Sequence, residues 1–218
     1  MYLLQIYFLS FLYGLSGALT PGPLLTGVII DTPKNGWKTG PFYIIGHAIL
    51  ESLVVISCFY GLLIILSITP VFITISICGG IVLFILAFLL VKDIKHVSIN
   101  EIIENNREKK SRNAVLAGIY LSISNPFWIL WWATAGVAHI NSLNVFYFGL
   151  IGGLIYFLGH ISADFSWYSF ISSMLHLGKN LITDKVYKII LICCACFFVY
   201  FGIKFILLVF FPNLYFPI

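Results

Sequence analysis

Polar and charged positions cut the chain into long apolar runs of similar length. They span approximately Leu3 to Ile30, Pro41 to Leu66, Val71 to Val91, Ala114 to Ala138, Val145 to Met174 and Val186 to Phe211. Crossing a hydrocarbon layer of about 30 Å takes about 20 helical residues, and each run reaches that length. The pattern predicts an all-α integral membrane protein with six transmembrane helices.

Composition agrees and removes the soluble alternative. Of 218 residues, 61% are hydrophobic and only 9% are charged, too few ionised side chains to coat a water-exposed surface. Lys34 is the first Lys or Arg, so the opening apolar run lacks the basic start of a cleavable signal peptide and is expected to be a retained span. The five cysteines, Cys58, Cys78, Cys193, Cys194 and Cys196, all fall inside apolar runs. They match neither a disulfide framework nor zinc-ligand spacing and are expected to be small buried apolar residues.

Charge sets an orientation. Apart from Lys204, the 12 Lys and Arg residues lie in or at the edge of the connections after the first, third and fifth runs. The connections 67–70 and 139–144 carry none. The positive-inside rule then puts the three basic connections in the cytoplasm and both termini outside. The formal charge of +4 forms no extended basic patch, so no nucleic-acid partner is expected.

The longest polar connection, 92–113, separates a first three-helix unit, 1–91, from a second, 114–218. Because three is odd, a second unit with the same plan would enter the membrane inverted, as in many transporter folds. Landmarks recur in order: Gly14, Pro21 and the "GHAILE" of Gly46 to Glu51 in the first unit; Gly118, Pro126 and the "GHISAD" of Gly159 to Asp164 in the second. The pattern therefore predicts two inverted three-helix repeats.

Helix breakers sit inside two of the runs. Pro21, Gly22 and Pro23 interrupt the first, and Asn125 with Pro126 interrupts the fourth. A proline in a helix interior removes a hydrogen bond and costs about 3 kcal/mol. Irregular backbone at membrane depth is tolerated where it is packed in protein or lines a polar cavity. A simple kink is one reading. The other is a pair of half-helix N-termini aimed at a shared centre, suited to a carboxylate, with Thr20, Ser16, Ser122, Ser124 and Asn125 pairing the released backbone groups.

Buried acids supply the opposite polarity. His47 with Glu51, and His160 with Asp164, are spaced four apart and so share a helix face. Ionisable groups at this depth usually face a cavity, a partner or a proton path. Lys204 is either a counter-charge for one of these acids or a residue that snorkels outward. The run "FWILWW", Phe127 to Trp132, is either a packing or lipid-facing aromatic belt or a stacking wall for a cation. His139 is expected in an external loop, and Gly149 with Gly153 forms a helix-contact pair.

The segments "SGALTPGPLLTGVI" and "GHAILESLVV" resemble the lysine-exporter (LysE/RhtB) family of small prokaryotic amino-acid exporters. Its Pro-Gly-Pro signature falls at Pro21 to Pro23, its basic turn at Gly36, and "SNPFWILWW" is similar to its second Asn-Pro motif. The resemblance implies a six-span inverted-repeat fold, usually dimeric, in the cell membrane. It implies export of amino acids or similar metabolites driven by a proton or sodium gradient, with no cofactor and no enzymatic step. Solute contacts are expected at Thr20, Pro21, Gly22, Pro23, Asn125, Pro126, Glu51 and Asp164, and ion or proton coupling at His47, Glu51, His160 and Asp164. Family members that handle amino acids often carry an aspartate after the second-span glycine, where this chain has His47 and Glu51. Related thiol-disulfide carriers place a cysteine beside each proline, and this chain has none there. A divalent metal exporter, ligating through the His and acid pairs, and a non-transporting membrane scaffold remain the alternatives.

Overall fold

A computed structural model describes residues 1–20, 22–61, 69–94, 113–132, 136–178 and 183–211, and among these the chain is helical with no strand. In chain order the elements are α1 (Tyr2–Ala18), α2 (Pro23–Asn35), α3 (Thr39–Phe59), α4 (Thr69–Ile94), α5 (Ala114–Ile123), α6 (Pro126–Trp131), α7 (Val137–Ser142), a 3-10 turn (Val145–Phe148), α8 (Gly149–Leu177) and α9 (Asp184–Phe210).

Four helices are long and apolar enough to cross a membrane among the described residues: α3, α4, α8 with its preceding turn, and α9. Counting α1 and α2 as one bent span gives five, with an angle of 75° between the two pieces. The fourth apolar run of the sequence is divided. Its described part includes α5, ten residues, and α6, six residues, joined through Ser124 and Asn125, and ends in the start of α7. Neither piece alone spans the hydrocarbon layer. The central connection, 95–112, lies outside the described residues.

Helix packing crosses between the two halves of the chain. In the main contacts α1 lies against α8, α3 against α5, and α4 against α9. Small residues let the backbones approach, as helix association in lipid requires. A Cβ at Gly159 of α8 would lie 2.0 Å from Ser10 Oγ and 2.3 Å from the Tyr7 carbonyl of α1. In the other pair, a Cβ at Gly46 of α3 would meet the Val115 carbonyl at 2.1 Å, and one at Gly118 of α5 would meet the Tyr43 carbonyl at 2.0 Å. Gly80 and Gly202 face each other across α4 and α9, each Cβ position lying 3.0 and 3.2 Å from the other residue's carbonyl oxygen. Each half's first helix thus packs on the other half's second, and the third helices pack on one another.

Two apolar cores flank a polar layer. Val55 and Cys58 of α3 join Tyr156 of α8 in one core, together with Trp131, Trp132 and Ile140. Tyr43 and Ile44 of α3 join Tyr168 and Leu175 of α8 in the other, together with Leu24 and Ile29. Between them on α3 lie His47 and Glu51, and on α8 His160 and Asp164, all buried.

Outer faces carry exposed Leu4, Phe8, Ile81, Ile85, Phe88 and Ile203, as hydrocarbon contact demands. Two expectations are corrected here. Cys58 and Cys194 are buried, but Cys78, Cys193 and Cys196 are exposed on those faces, where a thiol behaves as a small apolar group. Gly149 and Gly153 do not act as a pair: Gly153 lies against the Phe59 ring, whereas Gly149 has open space around it and begins α8 with a φ of +54°.

Candidate functional site

The two breaks meet. Gly22 is extended (φ −126°, ψ −178°) and α2 restarts at Pro23, whose missing N–H costs nothing at a first helical position. Asn125 is likewise extended, α6 starts at Pro126, and the Asn125 Oδ1 accepts from the Phe127 N–H at 3.1 Å. A Cβ at Gly22 would lie 3.2 Å from Asn125 Nδ2, so only a small residue lets the breaks come together comfortably. Pro21 lies outside the described residues.

Backbone groups released at the breaks find local partners. Thr20 Oγ1 donates to the Ser16 carbonyl at 3.2 Å, and Ser124 Oγ donates to the Leu121 carbonyl at 3.3 Å. The N-termini differ, however. The α6 end is capped by the Asn125 side chain, whereas α2 starts from Gly22, which has no side chain to cap it. An uncapped helix N-terminus keeps N–H groups and positive partial charge available to an anion.

Glu51 is the centre of the polar layer and is 1% exposed. Its Oε1 accepts from Trp128 Nε1 at 3.2 Å and Trp132 Nε1 at 3.1 Å, and lies 3.2 Å from His47 Nε2 and 3.3 Å from His160 Nε2. An indole nitrogen can only donate, so Oε1 is held as an acceptor. Oε2 has no partner among the described residues, which leaves it as the oxygen open to a proton or a cation.

The histidines differ in their second nitrogens. His47 Nδ1 is 2.8 Å from Ser122 Oγ, whose single hydrogen goes to the Gly118 carbonyl at 2.7 Å. His160 Nδ1 has no partner among the described residues and faces Gly14, where a Cβ would lie 2.8 Å from it. Asp164 is one turn beyond His160 on α8, and its Oδ2 also lacks a partner among the described residues. Ligand atoms of His47, Glu51 and Asp164 fall within 4.8 Å of one another, a spacing that could hold a cation.

Breaks and acids share a cavity of about 40 Å³. Gly17, Thr20, Gly22 and Leu24 contribute one wall, His47, Glu51, His160 and Asp164 another, and Asn125 with Phe127, Trp128 and Trp131 a third. A water needs about 10–15 Å³ of such space, so this conformation has room for a few waters or a small polar group.

Thr20, Gly22, Glu51, Asn125, Asp164, His47 and His160 all line the cavity, with Pro23 and Pro126 starting the helices beside it. His160 shares a helix face with Asp164 as expected, but its Nε2 is directed to Glu51 of the other half. The aromatic run is neither lipid-facing nor only a wall, since two of its tryptophans donate to Glu51. A buried carboxylate needs donors, and the N–H-rich run beside the break was the signal for them. Lys204 has its Nζ 6.0 Å from the Phe201 ring centroid, while the acids interact with each other, His47 and His160. His139 is not in a loop: it sits on α7, stacked on Tyr13 with ring centroids 3.9 Å apart.

Comparison with known proteins gives one match. The family model described as LysE type translocator matches residues 15–208. Neither the curated proteins nor the solved structures contain a match to the chain.

Proposed function

Because the chain belongs to the LysE type translocator family, we propose that it is a secondary active transporter that exports small amino acids or amino-acid-like metabolites. It is a multi-pass membrane protein of a transporter family, not of an enzyme family. The observation that carries the finer reading is the pairing of opposite polarities across one cavity. A helix N-terminus at Gly22 to Leu24, without a side-chain cap from Gly22, faces a layer whose two acids each keep an oxygen without a partner among the described residues.

The solute carboxylate binds at the start of α2, near Thr20, Pro21, Gly22 and Pro23, with Asn125 and Pro126 closing the opposite side. The ammonium binds between Glu51 Oε2 and Asp164 Oδ2. Protons, or sodium ions, compete for the same carboxylate oxygens, which couples their entry to solute release. His47 and His160 hold Glu51 in place and share its charge. The small cavity favours small solutes and fits an occluded stage of the cycle.

Access alternates as the two halves rock about their shared centre. Reciprocal packing of α1 on α8 and α3 on α5, with Gly80 against Gly202, supports two inverted repeats. In this reading the divided fourth run and the bent α1–α2 pair both count as spans, giving six, with basic connections inside and both termini outside the cell. The protein works in the cell membrane as a homodimer, as the family resemblance implies.

Efflux of radiolabelled amino acids from reconstituted vesicles under an imposed proton or sodium gradient tests the reading. Gradient-driven efflux is expected from the wild type and not from empty vesicles, and the absence of efflux for every amino acid would reject it. The spacing of His47, Glu51 and Asp164 favours one second reading, export of a divalent cation as substrate. That reading predicts metal sensitivity on deletion and loss of metal binding in His47→Ala, with no amino-acid efflux.

A further inference from the structure

His139 is a titratable group near the centre that the transport reading leaves unused. It is half-buried on α7, next to the exposed Asn141 and Ser142. Its Nδ1 lies 3.1 Å from the hydroxyl of Tyr156, and its ring stacks on Tyr13 of α1 at an interplanar angle of 15°. Tyr156 is 0% exposed. A phenol at that depth is costly without a hydrogen bond, and His139 supplies one.

From Tyr156 the line continues inward. His160 follows one turn later on α8, its ring nearly parallel to that of Tyr156 with centroids 6.3 Å apart. The Nε2 of His160 then reaches Glu51 Oε1 at 3.3 Å, while Nδ1 is the nitrogen without a partner among the described residues. The groups facing His139 are Tyr13 from α1 and Tyr156 and His160 from α8; those facing Tyr156 also include Cys58 and Glu51 from α3. The series His139, Tyr156, His160, Glu51 leads from the solvent edge to the polar layer through an otherwise apolar core.

We propose that His139 and Tyr156 form the outer arm of the proton route to the Glu51 centre. The proposal rests on the gradient-driven transport reading and on the orientation that places α7 at the external face. A proton from outside binds His139 at Nε2, and Nδ1 passes one to the Tyr156 oxygen. Tyr156 hands its own hydroxyl proton on toward His160 Nδ1, the nitrogen without a partner among the described residues one turn further along α8, so the phenol gains one proton and loses one. His160 in turn delivers from Nε2 to Glu51 Oε1, 3.3 Å away, which neutralises the carboxylate and so releases a cation held at Oε2. Tyr13, stacked on His139, keeps the imidazole over this entry.

The test uses full-length protein in vesicles containing a pH-sensitive dye, with an equimolar mixture of radiolabelled amino acids as probe. Two quantities are read: flux driven by a pH gradient, and solute exchange at zero gradient, which needs no net proton movement. In His139→Gln and Tyr156→Phe, gradient-driven flux and dye response should fall on the order of tenfold or more, as expected when a positioned proton carrier is removed. Exchange should stay at the wild-type rate. Unchanged gradient-driven flux in both variants, or an equal loss of exchange, would overturn the proposal. A wild type driven by sodium and indifferent to pH would overturn it while leaving the transport reading intact. A wild type with neither flux nor exchange would overturn both.

Discussion

His160 Nε2 lies 3.3 Å from Glu51 Oε1, joining a histidine from the second half of the chain to an acid from the first. The same oxygen receives His47 from its own helix and two indole N–H groups, from Trp128 on α6 and from Trp132 just after it. One carboxylate oxygen therefore ties α3, α6 and α8 together, and the other has no partner among the described residues.

Removing a donor should be felt as stability. Hydrogen bonds to charged groups contribute about 1.5–3 kcal/mol each. Trp132→Phe, which deletes the N–H and keeps most of the ring, is expected to destabilise by about that much, read as a lower Tm in detergent. An unchanged Tm would mean that the Trp132 bond to Glu51 does not form.

Glycine contacts between the halves make a sharper prediction. In Gly118→Ala and Gly159→Ala the new methyl would fall 2.0 Å from the Tyr43 carbonyl and from Ser10 Oγ respectively. Overpacking of this kind costs about 1–3 kcal/mol, so both should lower Tm. Gly17→Ala puts its methyl 3.6 Å from the Trp131 ring, ordinary contact, and should leave Tm close to wild type.

The second break depends on its cap. Asn125→Ala removes the acceptor for the Phe127 N–H and should cost about 1 kcal/mol of stability. Asn125→Asp keeps an oxygen at that position and should recover most of it. Thermal melts of the two variants, compared with wild type, decide the point.

Much of this arrangement was legible in the sequence. Proline at a first helical position and the need to shelter broken backbone marked Pro23 and Pro126 as helix starts beside a polar centre. Spacing of four placed His47 against Glu51 on α3. Spacing alone could not assign the partner of His160, because sharing a helix face with Asp164 does not fix the rotamer, and a neighbour on another helix won. The tryptophan donors, and the bond between His139 and Tyr156, depend on which helices pack together, and no local pattern carries that. The number of spans was read from apolar length; the break between α5 and α6 within the fourth run was signalled by Asn125 and Pro126, not by length.

Orientation can be checked chemically. Lys38→Cys, beside the basic turn, should react with a membrane-impermeant thiol reagent only when the reagent reaches the cytoplasmic face. Asn141→Cys should react from outside in intact cells. The wild type, with its exposed Cys78, Cys193 and Cys196, sets the background. The opposite labelling pattern would invert the topology proposed above.

The central claim is that the free oxygen of Glu51 couples ion movement to solute export. Its most direct test is gradient-driven efflux of radiolabelled amino acids from vesicles, comparing wild type with Glu51→Gln. The amide keeps an acceptor oxygen for the tryptophans and the side-chain shape, but it replaces Oε2 by a group that neither titrates nor binds a cation. The account predicts that Glu51→Gln folds, reconstitutes and loses gradient-driven efflux; efflux equal to wild type would contradict it.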